Sequence, residues 1–311
     1  MTDPRPPRIV VFGSLNADLS VQLPELPQAG QTVLGSGLFR SPGGKGANQA
    51  VAAAHATQRR GLPAAVRMVG RVGADDEGQL LRESLAAAGV DDSGVQIDRE
   101  APTGVALILV DDAGDNMIAV APGANLTVGE ADVAGAVAGL RPGDVVVCQL
   151  EVPVPAIRQL VRSARAVGAR TVCNAAPAAA LDPELLASLT VLVVNETEAR
   201  HSLGLSVTTP PQAAQAAASA GCAVVVTLGS RGAVYATPDG DAGACPAPSV
   251  EAVDTVGAGD AFVGAFAVAL TAGDGVAEAV TAGVAAGATA VTQLGARYYP
   301  HPPDPKSGDE R

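Results

Sequence analysis

Apolar residues fall in short unbroken runs set apart by Gly, Pro and polar positions. Ile9-Val10-Val11-Phe12 and Val145 to Cys148 are apolar throughout, Thr190 to Val194 and Ala223 to Thr227 carry Thr only at one end, and Val66 to Val69 and Arg170 to Cys173 read as strands despite Arg67, Arg170 and Thr171. That is the pattern of strands buried on both faces. Between them the spacing turns helical. Asp76 to Ala88, with Leu80, Leu81 and Leu85 and with Gly89 to close it, predicts an amphipathic helix. Pro153 and Pro155 open a helix running to Val167, because Pro suits a first turn. Ala258 to Ala272 and Val276 to Val291 predict two more helices. Polar or Gly-rich residues recur where strands end: Asn16, Glu151, Asn174, Asn195, Gly229. The alternation predicts an α/β fold, a doubly wound and mainly parallel sheet with helices on both faces and a site along one edge.

Some segments break this rhythm. Thr32 to Phe39 reads as a short strand, and Gly104 to Val110 with Asn116 to Val120 reads as a hairpin around Asp111-Asp112-Ala113-Gly114-Asp115. Residues 14–40 and 103–121 are therefore expected to form a small β-sheet lid on one domain spanning 1–299. The Pro-rich polar tail, 300–311, is expected to be flexible.

Composition narrows the class. Aromatics are 2% and Trp is absent, so the core is built from Val, Leu, Ile and Ala. A net charge of -12 argues against a nucleic-acid partner, which needs clustered Lys and Arg. Cys148, Cys173, Cys222 and Cys245 lack metal-ligand spacing, and three lie in apolar runs as expected of free buried thiols. A cytoplasmic protein is expected, with no secretory signal and no membrane span.

Two Gly-rich stretches carry candidate chemistry. Ala252 to Asp260, with Asp254 and the Gly257-Ala258-Gly259 run, precedes a long apolar helix. Unpaired N–H groups at such a helix start make an anion site, beside which Asp260 could act as a proton acceptor. The same residues also suit a tight turn with an aspartate cap. Ser41 to Ala50 forms the second Gly-rich turn, leading into a helix expected over Val51 to Thr57. No Ser or Thr follows Lys45, so it is not a nucleotide P-loop of the Walker type. Lys45 and Asn48, three residues apart, would share a helix face. Asn16 and Asp18 would face one way in an extended chain, either to hold sugar hydroxyls or as an ordinary polar turn. His55, His201 and His301 have no partner at a telling spacing.

Gly43 to Ala50 reads GGKGANQA and Asp254 to Asp260 reads DTVGAGD. Gln149-Leu150-Glu151, Asn195-Glu196-Thr197-Glu198-Ala199 and Thr227-Leu228-Gly229-Ser230-Arg231-Gly232 lie between them. In this order, over residues 9–297, the chain resembles the ribokinase family of carbohydrate kinases, the phosphofructokinase-B type. The resemblance implies phosphorylation of D-ribose at O5 by ATP, giving D-ribose 5-phosphate and ADP. It implies Asp260 as catalytic base and the N–H groups of Gly257, Ala258 and Gly259 as the anion hole. Asn16, Asp18, Gly44, Lys45, Asn48, Glu151 and Asp260 would bind the sugar. Asn195, Thr227, Gly229, Gly232 and Gly259 would bind the nucleotide, with Arg231 either near phosphate or on the surface. Glu198 would hold Mg2+ through water. Asp254, Val256, Ala290, Gln293 and Gly295 would hold a monovalent cation, K+. The apolar hairpin around Val105 to Val110, an exposed edge that is a liability unless covered, predicts in addition a homodimer built through the lid.

The chain departs from the family pattern where Tyr299 replaces a small hydroxyl residue and where a polar residue often found near Val284, in the adenine pocket, is absent. Its short tail also stands where a closing helix is usual. Deoxyribose, adenosine and fructose kinases of the same superfamily are rival readings, as is a non-catalytic sugar sensor. A dinucleotide-dependent dehydrogenase is excluded, because Gly13 has no Gly-x-Gly-x-x-Gly around it.

Overall fold

The computed structural model describes residues 5–293 and 295. Leu294, Ala296 to Tyr299 and the 300–311 tail lie outside the described residues, and with them the expectations attached to Tyr299 and to the tail. The chain opens with β1 (Arg8–Phe12), β2 (Asn16–Leu23), β3 (Gly37–Gly43), α1 (Lys45–Arg60), β4 (Ala65–Gly73), α2 (Asp76–Ala87) and β5 (Asp91–Asp98). Next come β6 (Gly104–Asp111), β7 (Asn116–Ala121), α3 (Glu130–Val137), β8 (Val145–Gln149), α4 (Val154–Ala166) and β9 (Arg170–Asn174). Then follow α5 (Pro183–Ser188), β10 (Val191–Asn195), α6 (Glu196–Leu203), α7 (Pro210–Ala220), β11 (Ala223–Thr227), β12 (Ala233–Ala236) and β13 (Ala242–Cys245). The helices α8 (Ala258–Thr271) and α9 (Val276–Ala290) complete it.

The main sheet runs β13-β12-β11-β10-β9-β8-β1-β4-β5. Its pairs are parallel except β11–β12 and β12–β13. The unbroken apolar runs explain why it is covered twice. Ile9, Val11, Val145, Val147, Val191 and Val193 pack into one core with α1, α2, α8 and α9. Their neighbours Val10, Phe12, Val146, Cys148, Leu192 and Val194 pack into a second core with α3 to α7. Each fully buried aliphatic contributes about 1.5–3 kcal/mol, so many short Val-rich strands stand in for the missing aromatics. Cys148, Cys173 and Cys222 are buried free thiols, as expected.

A second sheet, β3-β2-β6-β7, stands apart from the first. β2 and β6 are parallel, while β2–β3 and β6–β7 are antiparallel. The 104–121 hairpin matches the expectation. The strand expected at Thr32 to Phe39 does not: β3 begins at Gly37 and runs to Gly43, because pairing from Asn16↔Gly43 to Gln22↔Gly37 sets its limits. Pro42 is tolerated there because β3 is an edge strand. Asn16 to Asp18 is extended rather than a turn, as the start of β2. The helix expected over Val51 to Thr57 begins at Lys45 instead, so the turn closes six residues early.

The two Gly-rich segments are brought together by a close helix contact. A Cβ at Gly264 would lie 2.6 Å from Ala52 Cβ and 2.7 Å from Ala53 N. Glycine therefore lets α8 meet α1 backbone to backbone, one turn beyond Asp260 and one turn beyond Asn48 and Gln49.

Candidate active site

β1 and β8 end side by side, and the start of α1 crosses over them. Gly46 N donates to Ser14 Oγ at 3.3 Å, and Ser14 Oγ donates to Glu151 Oε2. The same Glu151 oxygen accepts from Lys45 N at 3.1 Å. Glu151 is thus tied at once to the end of β1 and to the first turn of α1. Asn16 is buried, and its Oδ1 accepts from Asn125 Nδ2 at 2.8 Å. Asn125 also bonds both backbone groups of Leu15, donating to O at 3.1 Å and accepting from N at 2.9 Å. The stem of the second sheet is held there. The Asp18 carboxylate lies against Gly43, where a Cβ would be 2.1 Å from its Oδ2.

Asp260 sits in the first turn of α8 and is only 7% exposed. Its Oδ1 accepts from Gln49 Nε2 at 2.9 Å and its Oδ2 from Asn48 Nδ2 at 3.3 Å. Burial alone would lower the pKa of Lys45, but Asp260, Glu151 and Glu198 around it outweigh that and hold its ammonium above the ordinary value. Burial raises Glu198, and the Asp260 charge adds to this, against the Asn195 N–H and the Lys45 charge. One cation faces three carboxylates brought in by α6, α8 and the end of β8. Of the residues expected at the sugar, Lys45, Asn48, Glu151 and Asp260 are brought together by these contacts, and Gly44 adjoins them beside Asn16, while Asp18 stands further out along β2.

The nucleotide side divides. Thr227, Gly229, Gly232 and Gly259 line one cavity of about 490 Å3, walled by Phe262 and Val284. Asn195, the register partner of Thr227, is tied into a capping box: its Oδ1 accepts from Glu198 N and its N donates to Glu198 Oε2, both at 2.8 Å. Arg231 pairs with Glu196 at 2.7 Å on an exposed face. Gly257, with φ 77, lies in the left-handed region that favours glycine and caps α8. Ala258 N, expected in the anion hole, donates instead to Thr255 O at 3.4 Å, because the tight turn before α8 brings that carbonyl beneath it. A larger hollow of about 920 Å3 lies elsewhere, against α2 and β5, and holds none of these residues.

The expected cation residues form one stitched loop. Asp254 Oδ1 accepts from Val256 N and Oδ2 from Gly295 N, each at 2.9 Å. Ala290, Gln293 and Gly295 share a small hollow with Asn48. A carboxylate and backbone carbonyls are a hard oxygen set that fits a monovalent cation. Glu198, partly buried beside Lys45, fits a hydrated divalent ion in the same sense. Among the described residues no cluster of His, Cys, Asp and Glu side chains converges to hold a metal directly.

Some polar residues at the centre were not legible as site residues from the sequence. Gln49, Gln149, Ser14 and Asn125 are all buried. Gln49 and Gln149 lie inside the GGKGANQA and Gln-Leu-Glu segments, which was their only signal.

A buried carboxylate at a glycine-led helix start, set at the C-terminal edge of a doubly wound sheet, is the arrangement of an α/β ligand-binding protein. The family model described as pfkB family carbohydrate kinase matches residues 6–303, and the chain belongs to that family of carbohydrate kinases. Among its relatives, the ribokinase of Staphylococcus aureus is 36% identical over 93% of this chain and 95% of its own. That of Haemophilus influenzae is 34% identical over 93% and 94%. An Arabidopsis thaliana ribokinase structure, described as complexed with ribose and ATP, superposes with TM-score 0.82 at 32% identity, covering 94% of each chain.

Proposed function

We propose that the protein transfers the γ-phosphoryl group of ATP to O5 of D-ribose, giving D-ribose 5-phosphate and ADP. The observation that carries this reading is the position of Asp260: buried in the first turn of α8, bonded by Asn48 and Gln49, and beside Lys45. Asp260 takes the proton from the O5 hydroxyl as it attacks. Asn16, Asp18, Gly44, Lys45, Asn48 and Glu151 hold the remaining hydroxyls. Ribose is favoured over other sugars by the ribokinase relatives that match almost the whole chain.

In a loose phosphoryl-transfer transition state the protein positions and stabilises charge. The amides of Gly257 and Gly259 at the start of α8 receive the charge of the transferring group. The amide of Ala258 joins them when its long bond to Thr255 gives way. Thr227, Gly229, Gly232 and Gly259 hold the nucleotide in the 490 Å3 cavity, and Asn195, beside Thr227 in the sheet, contacts its phosphates. Glu198 would hold Mg2+ through water, and the ion would supply neutralising charge to the phosphates. K+, held by Asp254 and the backbone of Val256, Ala290, Gln293 and Gly295, would stiffen the loop ahead of Gly257.

The second sheet acts as a lid, since β2 carries Asn16 and Asp18 at its hinge end. A second copy covers the exposed apolar side chains of this sheet, giving a homodimer. The buried free thiols fit a reducing compartment such as the cytoplasm.

Asp260→Asn is expected to lower kcat by at least about 100-fold, the size of a positioned general base, with ribose affinity by calorimetry kept. Near-normal turnover in that variant would remove Asp260 from the role.

A further inference from the structure

We infer that Gln49 is a positioning residue for the proton transfer, aiming Asp260 through an amide relay fixed by Gln149 and Asn174. This rests on the reading of Asp260 as base. Gln49 and Gln149 are fully buried and Asn174 is 8% exposed. Gln49 Nε2 uses its donors on Asp260 Oδ1 at 2.9 Å and Asn174 Oδ1 at 3.0 Å. Its Oε1 accepts from Gln149 Nε2 at 2.6 Å. Asn174 is fixed in turn, since its Nδ2 donates to Val193 O at 3.2 Å.

These contacts define which way round the Gln49 amide lies. Turned over, it would set an oxygen against two acceptor oxygens and a nitrogen against a donor. Gln149 and Asn174 are register partners at the ends of β8 and β9, so the orientation is referred to the main sheet. Gln149 Oε1 is buried, has no partner among the described residues, and lies over Gly13, where a Cβ would be 1.8 Å away. Glycine at position 13 leaves room for that oxygen while the amide nitrogen reaches Gln49.

The relay distinguishes the two oxygens of Asp260. Oδ1 is held by Gln49 at 2.9 Å, while among the described residues Oδ2 carries the longer Asn48 bond of 3.3 Å. Oδ2 is the oxygen left to accept the hydroxyl proton, and Gln49 fixes the rotation that presents it. The charged groups facing Asp260 are Lys45 on α1 and Glu198 on α6, with Glu151 beyond Lys45.

The test compares Gln49→Leu, Gln49→Glu and Gln149→Met with wild type and Asp260→Asn, each measured per folded protein by circular dichroism. Gln49→Leu and Gln49→Glu are expected to lower kcat about 10- to 100-fold, the range over which misaligned groups cost rate. The sugar KM should stay within about threefold, because the sugar-binding side chains are untouched. Gln149→Met, which never touches Asp260, should lower kcat by a smaller factor, about three- to tenfold. Wild-type kcat in any folded Gln49 variant overturns the proposal, as does a rise in KM at unchanged kcat. Should neither Gln49 variant fold, Gln149→Met with wild-type kcat overturns it. Asp260→Asn with normal turnover would instead remove the base reading beneath it, which separates the two failures.

Discussion

Asp75 shows how one residue serves two parts of the molecule. Its Oδ1 accepts from Gly78 N at 2.9 Å and caps α2, while its Oδ2 accepts from Thr103 N at 2.8 Å at the start of the second sheet. Thr103 Oγ1 also donates to Asp75 and accepts from Gly73 N. Burial alone would raise the Asp75 pKa, but the bonds from Thr103 and Gly78 outweigh it and hold the carboxyl below its ordinary value. A depressed pKa stabilises the fold fully above the unfolded value of about 3.9 and loses that contribution as pH falls through the folded value. Asp75→Ala is therefore expected to cost about 1–2 kcal/mol at pH 7, the worth of a cap, read by thermal melts. The gap to wild type should close below about pH 4, and a gap that stayed constant to about pH 2 would contradict the assignment. Other residues were legible to different degrees. Lys45 and Asn48 follow from spacing on one helix face. Gln49 does not, because its partners Gln149, Asn174 and Asp260 lie 100, 125 and 211 residues away in sequence.

Strands buried on both faces were legible because unbroken apolar runs have few other uses. β1, β8, β9, β10 and β11 fall where the runs predict them. β2 was not legible as a strand, since Asn16–Leu23 mixes polar and apolar residues and most of it is only half-buried. β3 was misplaced because its limits come from β2 and not from its own Gly-, Ser- and Pro-containing sequence. β12 and β13 were not legible either, being short and built largely of small residues. The second sheet leaves apolar side chains outside on both faces: Leu107 is 52% exposed and Ile118 55%. An open-edged sheet with that surface is a liability unless another chain covers it. Light scattering at micromolar concentration is expected to give a two-chain mass, and the doubly substituted Leu107→Lys, Ile118→Lys protein a one-chain mass. A one-chain mass for fully active wild type would sink the dimer.

For the whole molecule, the layered α/β order explains why residues scattered from Ser14 to Asp260 meet. Parallel strands all present their C-terminal ends to one edge, and the close contact of α8 with α1 at Gly264 brings Asp260 to Asn48 and Gln49. That logic was readable from the alternation of runs. The amide relay beneath the carboxylate was not, because it depends on the order of β1, β8 and β9 within the sheet. Ribose phosphorylation at Asp260 is tested most directly by a coupled ADP-release assay with MgATP on ribose, 2-deoxyribose, fructose and adenosine, each with and without K+. The expected kcat/KM for ribose is at least about 100-fold above the others, because a site built to bond a hydroxyl rejects the analogue that lacks it. Turnover is also expected to be faster with K+ present. Preference for adenosine, fructose or deoxyribose would contradict the ribose assignment, and no turnover on any of them by protein that still binds ribose would contradict the kinase itself.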